Sequence, residues 1–154
     1  MLRPLTCPLY WLQSIPMKTQ REVSAKTQGE IESAISEGIS RFEQGYMGRG
    51  PKDVHAHLLG DLLVVRLQGV LTAAEQHLAK SLSAEKGRDL LKQVRTHLIE
   101  TARPVMVAMV EKVTGVRVVT MHHDISTRTG EEVVIFTLVE SPLLREAKKK
   151  SGSD

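Results

Sequence analysis

The sequence predicts an α+β domain with the element order α-β-β-α-α-β-β, in which two hairpins form a four-stranded antiparallel sheet covered by helices. The prediction rests on periodicity. Isoleucines recur at helical spacing from Ile31 to Ile39, two segments alternate around glycine-bearing turns, and a long helical stripe lies between those segments.

The first element is a long N-terminal helix over residues 19–46, with Ile31, Ile35, Ile39 and Phe42 on a narrow apolar stripe. Its first part, through Gln28, is polar and is expected to stand in solvent or against another subunit. Gly45 to Gly50 and then Pro51 end the helix. Val54 to Leu67 follows as a hairpin around a Gly60-Asp61 turn. Pairing across that turn sets Leu58 opposite Leu63, Ala56 opposite Val65 and Val54 opposite Leu67, an apolar face. The other face is mixed: His55 opposes Arg66, His57 opposes Val64 and Leu59 opposes Leu62.

Thr72-Ala73-Ala74-Glu75 fits a capping box and opens a short helix over 73–80. A longer helix over 84–113 is expected to bury Leu91, Val94, Leu98, Ala102, Val105, Met109 and Val113, with Gly115 as terminator. Pro104 lies inside that pattern and predicts a kink near Thr101 to Arg103. The second hairpin spans 116–126 and 132–139 with Thr129-Gly130 as its turn. Val119, Met121, His123 and Ile125 share the core face with Val134, Phe136 and Leu138. Thr120, His122 and Asp124 lie on the opposite face against Ile135, Thr137 and Val139, and this face too is mixed. Both mixed faces are expected to be covered by another subunit.

A length of 154 residues is that of one domain with an ample core. With 41% hydrophobic residues the chain is not disordered, and no run approaches the ~18 apolar residues of a membrane span, so a soluble protein is expected. The formal charge is +3, and Lys148-Lys149-Lys150 accounts for it, leaving the folded part near neutral. Aromatic residues make up 3% of the chain and offer no stacking platform, so no specific nucleic-acid partner is expected. The single cysteine, Cys7, excludes an internal disulfide and fits a reducing compartment.

Residues 1–16 hold the only Cys and Trp and three of the six prolines. They read as an extension, either flexible or docking through Leu9, Tyr10, Trp11 and Leu12. Pro4, Pro8 and Pro16 interrupt the apolar run and argue against a signal peptide. Residues 17–142 form the domain, and 143–154 a basic flexible tail.

GRGPKDVHAHLLGDLLVVRLQGVLTAAEQHLAK, a long helix and then TGVRVVTMHHDISTRTGEEVVIFTL resemble the MpsC-like family of Na+-translocating, membrane-potential-generating systems. The resemblance covers about residues 18–140. It rests on Gly48-Arg49-Gly50-Pro51, the hairpin ending in Leu-x-Gly-x-Leu-Thr-x-x-Glu, and the Thr-Gly strand reaching His-Asp-Ile. It implies a small bacterial protein linked to Na+-coupled energisation or inorganic-carbon supply, and it brings no catalytic residues.

The residues themselves show no catalytic motif: no Ser sits in a G-x-S-x-G elbow, and Glu131-Glu132 flanks a turn as solvated charge. Gly48, Arg49 and Gly50 are a candidate anion site, presenting backbone N–H groups and a guanidinium; as a simple helix-to-strand turn they need no ligand. His122 and Asp124 share a strand face, as do His55 and His57, and the four are a candidate metal site if the two hairpins lie side by side. His55, His57, Arg66, His122, Asp124 and Ile135 are the candidate interface. His77 and His97 read as lone helical surface or interface residues.

The functional expectation is a non-enzymatic binding, regulatory or assembly protein with no resident cofactor, a dimer or larger homo-oligomer beside a membrane-protein partner. Its place is the cytoplasm or the inner face of the membrane. The alternative is a small metal- or anion-binding protein that uses the histidine-bearing sheet face.

Overall fold

The structure, a computed structural model, describes residues 25–81 and 83–148. Along the chain run α1 (Gln28–Tyr46), β1 (Asp53–Leu59), β2 (Leu62–Gln68), α2 (Ala73–Ser81), α3 (Ala84–Thr114), β3 (Val118–Ser126) and β4 (Glu131–Leu138). The expected order and fold class hold. All pairings are antiparallel, and the strand order is β1-β2-β4-β3. The second strands of the two hairpins therefore meet at the centre, and the first strands become the edges.

Helix α1 begins at Gln28, and residues 25–27 ahead of it are not helical, contrary to the start expected at Thr19. A capping box sets this boundary: the Thr27 hydroxyl accepts from the Glu30 N–H at 3.2 Å, and the Glu30 carboxylate accepts from the Thr27 N–H at 2.8 Å. The polar stretch 19–24 and the extension 1–16 lie outside the described residues. The buried face of α1 continues from Ile39 to Glu43, and Phe42 packs at its margin.

The first hairpin has the expected register, Leu58 opposite Leu63 and His55 opposite Arg66. Gly60 takes φ +65° at the first turn position, as a type II′ connection requires. Helix α1 closes the outer edge of β1. Glu32 accepts from the Leu58 N–H at 2.9 Å, Ser36 accepts from the Ala56 N–H at 3.1 Å, and Gln28 donates to the Leu58 carbonyl at 3.0 Å. These side chains occupy backbone groups that an edge strand would otherwise offer to another chain.

The second hairpin pairs Met121 with Phe136, His122 with Ile135 and Ser126 with Glu131. Residues 127–130 thus form a four-residue loop in place of the expected two-residue turn. The register slides by two residues, so every side chain keeps its expected face. Val119 is the exception: a bulge between Val118 and Thr120 turns it outward, and it is 58% exposed.

Helix α3 is continuous through Pro104 and ends at Gly115, which takes φ +72°. Its buried line is Leu91, Arg95, Ile99, Ala102, Met106 and Val110. The expected stripe is corrected here, because Val94 and Val105 face outward. The true line has even helical spacing but carries an arginine at its second position. The apolar helix stripes pack on Leu63, Val65, Met121, Ile125, Val134 and Phe136 of one sheet face, which forms the core. Beyond β4 the chain returns to α1, where the Arg145 N–H donates to the Lys26 carbonyl at 3.0 Å and its guanidinium reaches Glu30 at 3.1 Å. The expected flexible tail is therefore anchored at Arg145.

Candidate functional site

Alternation along the strands gives the sheet a second face that no helix of the described residues covers. At its centre β2 and β4 place Val64 opposite Ile135, Leu62 opposite Thr137 and Arg66 opposite Val133. These central apolar side chains are half-buried by one another, whereas the rim residues His55, His57, Leu59, His122 and Asp124 are exposed. An apolar centre with a polar rim is the anatomy of a protein interface. All six interface candidates, His55, His57, Arg66, His122, Asp124 and Ile135, have their strand register on this face.

At the edge of this face Lys92 Nζ of α3 donates to the Asp124 carboxylate at 3.0 Å. That hydrogen bond is the chief reason its pKa lies below the ordinary value. His55 Nε2 sits 2.7 Å from the Asp53 carboxylate and its ring stacks on His57, with centroids 6.5 Å apart. Arg66 donates to Glu131 at 2.5 Å.

The four candidate metal ligands do not converge. His55 and His57 stand on one edge strand, His122 and Asp124 on the other, with β2 and β4 between them. Three strand spacings of about 4.8 Å separate the two pairs, far more than one metal spans. The premise that the hairpins juxtapose β1 and β3 fails because β2 and β4 pair instead. Among the described residues no group of three or more His, Cys, Asp or Glu side chains is placed to hold a metal.

The Gly48-Arg49-Gly50 segment turns the chain, with Gly48 at φ +79°. The guanidinium of Arg49 donates to the Leu71 carbonyl at 3.1 Å and ties this turn to the β2–α2 connection. That bond gives Arg49 a structural task.

A polar cluster lies inside the core, and it includes Glu132, which the sequence suggests is solvated charge beside a turn but which strand alternation carries inward to 1% exposure. Arg95 is 2% exposed and donates to Glu132 at 2.6 Å, with Glu75 at 3.3 Å and Glu43 at 3.5 Å. Burial raises the Glu43 carboxyl to about 7, and the neighbouring Glu132 adds to the rise while Arg95 opposes it. Burial also works against the Arg95 charge, but the Glu132, Glu43 and Glu75 carboxylates raise its pKa on balance. Arg95 Nε has no hydrogen-bond partner among the described residues. The cluster joins α1, α2, α3 and β4, four elements distant in sequence.

His123 faces inward, as its strand position predicts, and its Nε2 lies 3.1 Å from Glu100. Glu100 also accepts two bonds from Arg103, at 2.7 and 2.8 Å, and these bonds lead the causes that lower its pKa to about 2. Arg103 in turn donates to the Met121 carbonyl at 2.9 Å on the edge of β3. The Arg95 cluster and the Glu100–Arg103–His123 set thus hold elements of the helix side together.

A family model described as "Na+-translocating membrane potential-generating system (MpsC)" matches residues 27–140. The chain is also similar to the uncharacterized protein YbcI of Bacillus subtilis (strain 168), at 39% identity over 113 residues, 73% of this chain and 89% of that protein. No solved structure matches.

Proposed function

The chain belongs to the MpsC family, and on that premise we propose that it is a non-enzymatic assembly protein working beside a Na+-coupled membrane energisation system. The open sheet face is its interface, and a second copy of the chain is the occupant. The carrying observation is the apolar centre on β2 and β4, Leu62, Val64, Val133 and Ile135, covered by no helix of the described residues and ringed by exposed histidines and charges. The face carries both signs of charge, Arg66 beside Glu131 and Asp53 beside His55. Two such faces stack at about 10 Å, the spacing of packed sheets.

The energisation link is supported by the family description alone. No helix of the described residues is long and apolar enough to cross a membrane. A place in the cytoplasm, against the inner face of the membrane through a membrane-protein partner, fits both points.

Light scattering of the full chain at micromolar concentration tests the assembly. The expected mass is that of a dimer or a larger even assembly, and Val64→Glu is expected to reduce it to the monomer while leaving the circular dichroism spectrum unchanged. A monomeric wild type sinks the reading.

A further inference from the structure

Where the β2–α2 connection, the α2–α3 corner and the loop of the second hairpin meet, the structure holds a cleft of about 360 Å³. Its walls come from three places: Lys52 and Gly69 beside the first hairpin, Lys80 and Arg88 at the α2–α3 corner, and the 127–130 loop of the second hairpin. We propose that this cleft is a binding site for a phosphomonoester or diphosphate group.

Charge is the first argument. Lys52, Lys80, Arg88 and Arg128 all line the cleft, and no acidic residue does. Among the described residues none of the four cations forms a salt bridge, although other cations of the chain do, including Arg41, Arg66, Lys92, Arg95, Arg103 and Arg145. Four like charges facing one concavity repel one another, and a polyanion bound there removes the repulsion.

Donor chemistry is the second argument. Thr127 and Thr129 bring hydroxyls to the same wall, the groups that complement cations around phosphate oxygens. The floor is Leu71 and Ala79, so a small organic residue attached to the phosphate finds apolar surface. No aromatic side chain lines the cleft, which leaves nothing for a base to stack on.

The third argument is that the walls are built. The Val70 N–H donates to the Gly130 carbonyl at 3.2 Å, joining the β2–α2 connection to the loop that carries Arg128. Arg49 holds the Leu71 carbonyl at 3.1 Å. At the α2–α3 corner Gly87 lies so close to the Leu78 carbonyl that any added Cβ collides with backbone. That close approach brings Lys80 and Arg88 to one corner. The cleft size matches a small ligand.

The ligand is either a soluble phosphorylated molecule or the headgroup of an anionic lipid, and the test separates them. Pyrophosphate is titrated into isotope-labelled full-length protein, with vesicles of phosphatidylcholine containing phosphatidate as the second arm. The double variant R88E/R128E is run beside the wild type, with the melting temperature as the check on folding. Expected are saturable amide shifts confined to Gly69, Thr127, Arg128 and Gly130, weakened about tenfold or more in the variant. Pyrophosphate binding without vesicle binding assigns a soluble ligand, and vesicle binding that pyrophosphate competes away assigns a headgroup; both support the site. Absence of saturable shifts and of vesicle binding overturns it. So does affinity unchanged in R88E/R128E, or binding of single-stranded RNA that pyrophosphate fails to displace.

Discussion

The two faces of the β2–β4 pair are made by alternate residues of the same strands, yet they differ in kind. Val65, Val134 and Phe136 point to the helices and are at most 1% exposed, whereas Val64, Val133 and Ile135 point away and are only half-buried. On the helix side even charge is enclosed, with Arg95 held by three glutamates. On the open side charge stays at the rim. Hydrophobicity alone does not separate the faces, since both are apolar at the centre; what separates them is whether a helix of the described residues supplies the cover.

Substitutions on the two faces therefore differ in what they disturb. The largest loss is expected from Arg95→Ala, which leaves Glu43, Glu75 and Glu132 together without their cation. Denaturant unfolding at neutral pH is expected to show about 3–5 kcal/mol lost, and a loss below about 1 kcal/mol would mean that the cluster is hydrated rather than sealed. Phe136→Ala follows with about 3–4 kcal/mol from the cavity it leaves. Its sequence neighbour on the open face, Ile135→Thr, is expected to cost under about 1 kcal/mol in dilute protein. Equal costs at 135 and 136 would break the contrast.

Glu43→Gln runs the other way. Folding raises the Glu43 carboxyl from 4.5 to about 7, in the company of Glu132, Arg95 and Glu75. The folded state thus holds the proton more tightly, so this group's stabilising contribution is complete below about 4.5 and disappears as pH rises through 7. Glutamine keeps the neutral form at every pH. The variant is expected to match the wild type near pH 4 and to exceed its stability by about 3 kcal/mol at pH 8. A difference independent of pH would contradict the buried, protonated carboxyl. The smallest effect belongs to the rim, where Lys92→Met removes the partner of Asp124 and is expected to cost under about 0.5 kcal/mol, a shift in midpoint near the limit of detection.

The open face was legible from alternation, because a period of two assigns faces whatever the exact register. The four-residue loop at 127–130 shifted the second hairpin without moving a side chain across the sheet. Strand order was not legible: nothing local to His55 or His122 tells which strands of two hairpins meet, so the proposed metal set fell apart at opposite edges. The buried cluster was hidden by the rule that charge lies outside. Glu43 follows Ile31, Ile35 and Ile39 at the next helical step, Arg95 falls between Leu91 and Ile99, and Glu132 precedes Val134 and Phe136 by strand alternation. Charges of opposite sign at core positions of separate elements were the available signal. The start of α1 was written in Thr27 and Glu30, but helical propensity in the polar stretch ahead of them masked it.

The most direct test of the open face as an interface is a set of isotope-filtered intermolecular NOEs in a mixed sample of labelled and unlabelled full-length chains. Contacts between copies are expected at the methyls of Leu62, Val64, Val133 and Ile135 and at none of Leu63, Val65 or Val134. Absence of intermolecular contacts at Val64 and Ile135 at a concentration where the mass exceeds that of one chain would contradict the account.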